Sequence, residues 1–352
     1  MCIQASQEKS WFFRRNNPFK TEFLNQNMAK FTPELIAKYQ NSGYRVVGKH
    51  LHTGVEVCRW AKEALRGGKL CYKSVYGIKS HRCVQMTPTL NLCNLNCQWC
   101  WRTFRPGRTK AAKEWDNPEE IIDSAIEAQR KQLSGFGGNE KVTKKMLAEA
   151  MNPQHFAISL DGEPTFYPKI IELLKEIKSR GFTAFLVTNG TTPNKLKEML
   201  KKNAVPTNLY ISVYGPDEET FYKGTMCKIP GLWKKVLESL KLFPKFEKKG
   251  CRTVFRITAV KGLTLKDPEK YAELILMAKP MFVEVKGYAW LGESRKRLQQ
   301  NAVPRMEELE KFAGKLVKLT KYKVKHKDAR SRVIILVKDK AAWEKSCKWQ
   351  SE

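Results

Sequence analysis

Acid is scarce in this chain. Only 35 Asp and Glu stand against 65 Lys and Arg, a formal charge of +30 over 352 residues. A lysine-rich surface accounts for part of that excess, but the imbalance as a whole names a polyanion as partner, because each phosphate neutralised releases counterions. Long apolar runs are missing too. No stretch approaches the roughly 18 residues of a spanning helix, and residues 1–17 carry charge and aromatics but no apolar core of a signal peptide. No basic amphipathic helix dominates, so no membrane partner is expected. The ten cysteines are therefore expected in a reducing cytoplasm, as metal ligands or core thiols rather than disulfides. Repeats and low-complexity tracts are absent. The Gly-rich stretch 134–140 lacks the G-x-x-x-x-G-K-[ST] pattern, so it reads as a loop and not as a phosphate cradle.

Six apolar, β-branched runs are present, at 84–90, 155–160, 183–188, 209–213, 253–260 and 282–288. Helical patterns separate them, opened by start signals such as Asn117-Pro118-Glu119-Glu120, Thr192-Pro193 and Asp267-Pro268-Glu269. Strict alternation of strand and helix predicts parallel strands with right-handed crossovers. Six such units fall two short of a closed barrel, which predicts an α/β fold, a partial (β/α)6 TIM-like barrel with a lateral gap. Residues 1–82 form an N-terminal extension with a helix after Thr32-Pro33-Glu34, and 83–330 form the barrel. Residues 331–352 add an apolar strand at Val333–Val337, able to pair with a sheet edge, and a polar tail.

The loop after the first run reads Cys93-Asn-Leu-Asn-Cys97-Gln-Trp-Cys100. Three thiolates so close satisfy three irons of a 4Fe–4S cubane and leave the fourth open to an exchangeable ligand. Zinc would need a fourth Cys or His, and the next downstream are His155 and Cys227. Trp99 sits inside the motif, placed to shield a cluster or pack on an adenine, or simply to anchor the loop. The second strand ends Ser159-Leu160-Asp161-Gly162-Glu163-Pro164-Thr165, the third Val187-Thr188-Asn189-Gly190, and the fourth supplies Ser212. A carboxylate at a strand end suits an ammonium group; the other polar groups suit ribose and carboxylate, although Asn-Gly also favours turns. Cys58, Cys71 and Cys83 recur upstream in a basic, Gly-containing segment, unlike core thiols. They read as ligands of a second site, with zinc and His50, His52 or His81 still open there.

The C-x₃-C-x₂-C motif resembles that of the radical S-adenosylmethionine (SAM) enzymes, a family with a six-unit barrel. The resemblance implies SAM on the open iron of a cluster held by Cys93, Cys97 and Cys100. It carries over Gly162 and Glu163 from a Gly-Gly-Glu segment that binds the methionine amine, with Asp161 in place of the first Gly. Trp99, Thr188, Asn189 and Ser212 complete the expected SAM contacts. A closer resemblance rests on Cys58-Arg-Trp, Leu65-Arg-Gly, Cys71-Tyr-Lys73, Tyr76-Gly-Ile-Lys-Ser-His-Arg-Cys83, Gln85-Met-Thr-Pro, Cys100-Trp-Arg, Ser212-Val-Tyr-Gly-Pro and Glu284-Val-Lys-Gly-Tyr. From about residue 45 to 300 the chain is similar to the tRNA 4-demethylwyosine synthases of wybutosine synthesis, in their shorter archaeal form without a flavodoxin-like reductase. That resemblance implies two 4Fe–4S clusters, the second on Cys58, Cys71 and Cys83, and an external electron donor. It also implies a reaction. A 5′-deoxyadenosyl radical takes hydrogen from the methyl group of N1-methylguanosine at position 37 of phenylalanine tRNA. The methylene radical attacks the carbonyl carbon of pyruvate, and loss of the carboxylate with ring closure gives the tricyclic base. Lys73, two residues after Cys71, is the implied catalytic Schiff-base lysine for pyruvate.

A tRNA face is expected at the barrel mouth, from Arg102, Arg105, Arg108 and Lys110 after the cluster loop and Arg295, Lys296 and Arg297 after the sixth strand. Trp101, Phe104 and Trp290 are candidate stacking groups for a splayed base. Two rivals differ in class. A zinc-containing RNA-binding protein explains the charge but not the barrel, and another radical SAM RNA modifier leaves Lys73 without a role.

Overall fold

The computed structural model describes residues 33–102, 112 and 114–348. Ten strands form one sheet: β1 (Arg45–Val47), β2 (Thr53–Glu56), β3 (Cys83–Thr87), β4 (His155–Ile158), β5 (Thr183–Thr188), β6 (Asn208–Val213), β7 (Arg252–Ala259), β8 (Phe282–Gly287), β9 (Lys323–Asp328) and β10 (Val333–Val337). Their order is β1-β2-β3-β4-β5-β6-β7-β8-β10-β9. The six expected strands are β3 to β8, all parallel. The sheet has two ends and does not close, so the barrel is partial.

Boundaries moved where chemistry demanded it. The first strand ends at Thr87, not at 90, because Pro88 has no N–H for the ladder. The second ends at Ile158, and Ser159 and Leu160 bend inward, both donating to the Met86 carbonyl. The apolar strand at Val333–Val337 pairs with β8 as expected, antiparallel. Its partner β9 went unseen because its sequence, Lys-Val-Lys-His-Lys-Asp, is charged. Lysines are what an exposed edge strand carries to block further pairing. The polar tail is helical over Lys340–Lys348, and the Gly-rich stretch forms a 3₁₀ turn at Ser134–Gly138. Antiparallel β1 and β2 extend the same sheet from the other edge, through β2 to β3. Thr32 lies outside the described residues, but the helix it was expected to precede runs Pro33–Asn41.

Helices cover the outer face of the sheet. The one at Ile170–Ser179 buries Ile170, Ile171, Leu173, Leu174 and Ile177, each at about 1.5–3 kcal/mol. Inside the barrel, alternate residues of each strand face inward. Phe185, Tyr210, Val254 and Phe282 form the floor near the strand N-termini. The 3₁₀ turn Tyr72–Tyr76 plugs it from below. Tyr72 and Tyr76 donate their hydroxyls to the buried Glu284 of β8 at 3.2 and 3.1 Å. This plug carries Cys71 and Lys73 into the barrel.

Candidate active site

A cavity of about 1130 Å³ opens inside the barrel. All thirteen residues assigned from the sequence to metal, cofactor or catalysis line it: both cysteine trios, Lys73, Trp99, Gly162, Glu163, Thr188, Asn189 and Ser212. The trios approach from opposite ends of β3. Cys83 opens the strand, and the loop bearing Cys93, Cys97 and Cys100 follows its other end.

The loop is held by its backbone. Asn96 and Gln98 donate their amides to Thr225 and Gly224 O at 2.8 and 2.9 Å, using carbonyls that the end of helix Glu218–Thr225 leaves free. Gly224 is required there, since a Cβ would come within 2.8 Å of the Trp99 ring. Trp99 packs between Gly224 and Tyr214 (ring centroids 5.3 Å apart), so loop anchoring is one role it certainly has. Arg297, expected on the tRNA face, instead clamps this loop, donating to Gln98 O at 3.0 Å and to Cys100 O. Cys227 also reaches the loop, donating to Asn94 O at 3.3 Å, but from outside the cavity.

The end of β4 is stitched beneath the same loop. Glu163 N donates to Leu92 O at 2.7 Å. Gly162 adopts φ +68°, and any Cβ there would overlap the Thr89 carbonyl oxygen. The Glu163 carboxylate accepts Thr188 Oγ1 at 2.6 Å, Thr165 Oγ1 at 2.7 Å and Asn189 N at 2.7 Å. Burial raises its pKa, and these donors oppose the rise. Asn189 also donates to Asn94 Oδ1 at 2.9 Å, tying β5 to the loop. Asp161 has a structural role that explains the missing glycine. It accepts Tyr39 OH at 2.8 Å, Gly162 N at 2.6 Å and Asn91 N at 3.3 Å, joining helix Pro33–Asn41 to the site.

The second trio comes from three elements. Cys58 caps helix Arg59–Leu65, its sulfur accepting Ala61 N at 3.3 Å. Cys71 precedes the plug turn, its amide donating to Ser80 Oγ at 3.2 Å. Lys73 Nζ lies over the faces of Tyr210 and Phe185, 5.0 and 5.4 Å from the ring centroids. Burial pushes the Cys58 thiol up to about 11 and raises Cys71 and Cys83 as well. A bound metal is what makes such thiols thiolates. None of the nine described cysteines is in a disulfide. No three His, Cys, Asp or Glu side chains among the described residues converge on one ion, but a cubane asks each thiolate to bind a different iron. Both trios therefore fit cluster ligation by donor chemistry. The histidines open to a zinc site are committed elsewhere. His81 pairs with Glu149 at 2.8 Å, His52 accepts Asp116 N at 2.9 Å, and His50 faces Glu114 at 3.4 Å.

Sequence reading missed Arg256, Lys286 and Tyr214, which also line the cavity. For Arg256 and Lys286 the signal was a charge within an otherwise apolar run, while Tyr214, just past its run, carried none. Burial lowers Lys286 to about 7, and Nζ donates to Ser331 O. Arg102, expected to face tRNA, is buried and bridges Glu56 at 3.0 Å and Tyr44 OH. Its guanidinium covers Trp101, whose ring remains exposed. Arg295 lies over Trp290 at the cavity wall, while Lys296 is exposed and pairs with Glu293. Phe104, Arg105, Arg108 and Lys110 lie outside the described residues.

Residues 87–275 match the Radical SAM superfamily, and 277–338 match the family described as Wyosine base formation. An S-adenosyl-L-methionine-dependent tRNA 4-demethylwyosine synthase of Pyrococcus horikoshii is 46% identical over 318 residues, 90% of this chain and 91% of that protein. A mouse enzyme of the same description is 37% identical over 87% of this chain, but only 41% of its own length is matched. Among solved structures, one of TYW1 with a lysine–pyruvate adduct bound matches 88% of this chain and 97% of its own, with TM-score 0.78 and 31% identity. A crystal structure of archaeal TYW1 matches 87% and 96%, with TM-score 0.70 and 30% identity. The chain belongs to the radical SAM superfamily and, within it, to the S-adenosyl-L-methionine-dependent tRNA 4-demethylwyosine synthases.

Proposed function

We propose that this enzyme condenses N1-methylguanosine at position 37 of phenylalanine tRNA with pyruvate, using Lys73 to hold the keto acid and two 4Fe–4S clusters. The observation that carries this is a single cavity walled by both cysteine trios, Lys73 and the strand ends of β4 to β6. At about 1130 Å³ it exceeds the ~300–1,000 Å³ of ordinary ligand pockets, which suits a cofactor, a keto acid and a flipped purine together. The lysine–pyruvate adduct of the related TYW1 structure supports pyruvate as the second substrate. In this reading residues 1–82 are a cluster-binding extension of the core at 83–330, followed by the 331–352 tail. An external donor supplies the electron, and the work is cytoplasmic, where thiols stay reduced. No described helix is long and apolar enough to cross a membrane.

Cys93, Cys97 and Cys100 hold the cluster that, when reduced, supplies the electron for cleaving SAM. Glu163 is fixed by its four donors so that its carboxylate meets the methionine amine without reorganisation. Thr188, Asn189, Ser212 and Trp99 shape the remaining wall around the cofactor. Lys73, held in direction by two aromatic faces, presents its amine to the carbonyl of pyruvate. Cys58, Cys71 and Cys83 hold the second cluster beside it. Borohydride added with pyruvate traps a covalent adduct on the peptide containing Lys73. Lys73→Arg keeps the charge but not the nucleophile; it retains both clusters and SAM cleavage and forms no tricyclic base. Normal product from Lys73→Arg would reduce the lysine to a charge contact.

A further inference from the structure

Arg256 is an inward residue of β7, in register with Ser212 on β6 and Glu284 on β8. It lines the cavity just above the floor. Its natural counter-ion is already engaged, since Glu284 accepts the hydroxyls of Tyr72 and Tyr76. Among the described residues, no hydrogen bond or ion pair within contact distance reaches the Arg256 guanidinium. Five N–H donors in a rigid fork thus face enclosed space. Burial works against its charge, but Tyr72 and Glu284 nearby outweigh that and hold it above its ordinary pKa. The other cations of the wall differ. Lys286 donates to Ser331 O, Arg330 pairs with Glu63, and Arg295 lies over Trp290. Arg332 reaches in from the β9–β10 turn at the sheet edge and not from a strand above the floor.

Arg256 stands two residues beyond Val254, the register partner of Tyr210, and so on the same inward face, while Lys73 Nζ lies over the Tyr210 ring. Guanidinium and amine thus border the same part of the cavity wall. A 2-oxo acid needs that pair of neighbours, a nucleophilic amine for its carbonyl and a fork for its carboxylate.

We propose that Arg256 is the carboxylate receptor of the keto-acid site, taking the carboxylate in two parallel N–H···O bonds while Lys73 condenses with the adjacent carbonyl. The proposal rests on the reading of Lys73 given above. The condensation is redox-neutral: the neutral Lys73 nitrogen forms the C=N bond, and its two hydrogens leave with the keto oxygen as water. A charged, bidentate anchor makes the site select 2-oxo acids over ketones or esters of the same size.

The test uses anaerobic holoenzyme and borohydride trapping at Lys73, with pyruvate and its uncharged methyl ester as probes. In the wild type, pyruvate is trapped at lower concentration than the ester. In Arg256→Gln the half-saturating pyruvate concentration rises about 10- to 100-fold, the loss expected for a charge-assisted pair, while that of the ester stays within about threefold. Iron content and SAM cleavage without tRNA are unchanged, and Arg256→Lys recovers part of the preference. Two results overturn the proposal. One is preference for pyruvate over the ester surviving in Arg256→Gln. The other is loss of SAM binding instead, which would give Arg256 to the methionine carboxylate, the second carboxylate of this cavity. Absence of any wild-type adduct would sink the Lys73 reading itself, a failure distinct from either.

Discussion

The two cysteine trios are built on opposite principles. Cys93, Cys97 and Cys100 sit on one eight-residue loop, clamped by the carbonyls at the end of helix Glu218–Thr225, by Arg297, and by the underlying strand end at Gly162 and Glu163. Cys58, Cys71 and Cys83 come from a helix cap, a plug turn and the first residue of β3. The ligands of the first site are local in sequence, and the loop that bears them is held by hydrogen bonds to its backbone. The second exists only when residues far apart in sequence have packed, because Tyr72 and Tyr76 reach Glu284 across more than 200 positions. A fixed upper site suits a cofactor cleaved the same way in every turnover. In the function proposed above, a lower site hung from a plug joins keto-acid chemistry to the barrel floor.

The sharpest way to break this contrast is to remove ligands from each trio. Replacing any one of Cys93, Cys97 or Cys100 by Ala lowers 5′-deoxyadenosine formation to the level seen without enzyme. Cleavage persisting in all three variants would sink the assignment. The triple Ala variant of Cys58, Cys71 and Cys83 behaves otherwise. It drops from about eight to about four irons per chain, keeps SAM cleavage within several-fold, and makes no tricyclic base. Stoichiometric zinc at the lower site of the native protein would show that trio to be structural.

The same contrast explains what could be read in the sequence. A ligand set confined to eight residues is visible as spacing, so the upper trio was legible from chemistry alone. The lower trio, with gaps of a dozen residues, had no local geometry to betray it. Their basic, Gly-containing surroundings marked the three thiols as ligands of a second site, the resemblance made that site a cluster and pointed to Lys73, and only the fold brings them into one cavity with the upper site. The six parallel strands were legible because each is an apolar run between helix start signals. Strand β9 was not, since edge protection made it read as a charged loop. Arg256 and Lys286 hid within apolar runs, and Arg102 and Arg297 looked like surface charge until their buried partners were seen.

Glu284 offers a way to disturb one site and spare the other. Glu284→Ala strands two buried tyrosine hydroxyls, and each unsatisfied group costs about 1–3 kcal/mol. The plug turn that carries Cys71 and Lys73 should loosen, and Glu284→Gln, whose amide oxygen accepts from one hydroxyl while its NH2 donates to the other, should restore part of the loss. Iron at the lower site and borohydride trapping at Lys73 fall, while 5′-deoxyadenosine formation stays near wild type. Equal loss of iron from both sites would mean that the two are one cooperative unit, and the contrast would fail.

A smaller effect separates the two ends of the cavity by pH. At the lower end, burial and the Arg256 charge hold Lys286 at about 7, against 10.5 when the chain is unfolded. Between those values the unfolded chain binds the extra proton, so this lysine makes stability rise with pH from about 7 toward 10.5. Its full destabilising effect is present at and below pH 7, where a buried ammonium must be tolerated. At the upper end Glu163 shifts the other way, since burial raises a carboxyl, and its contribution is lost as pH rises through its folded value. Lys286→Met should therefore stabilise the protein most at pH 7, and the gain should shrink by at most about 1.4 kcal/mol per pH unit on going to pH 9. Denaturant midpoints of anaerobic holoenzyme at pH 7, 8 and 9 measure this gain. A gain for Lys286→Met that does not change with pH would place the Lys286 ammonium in contact with solvent, and the pH contrast between the two ends would disappear.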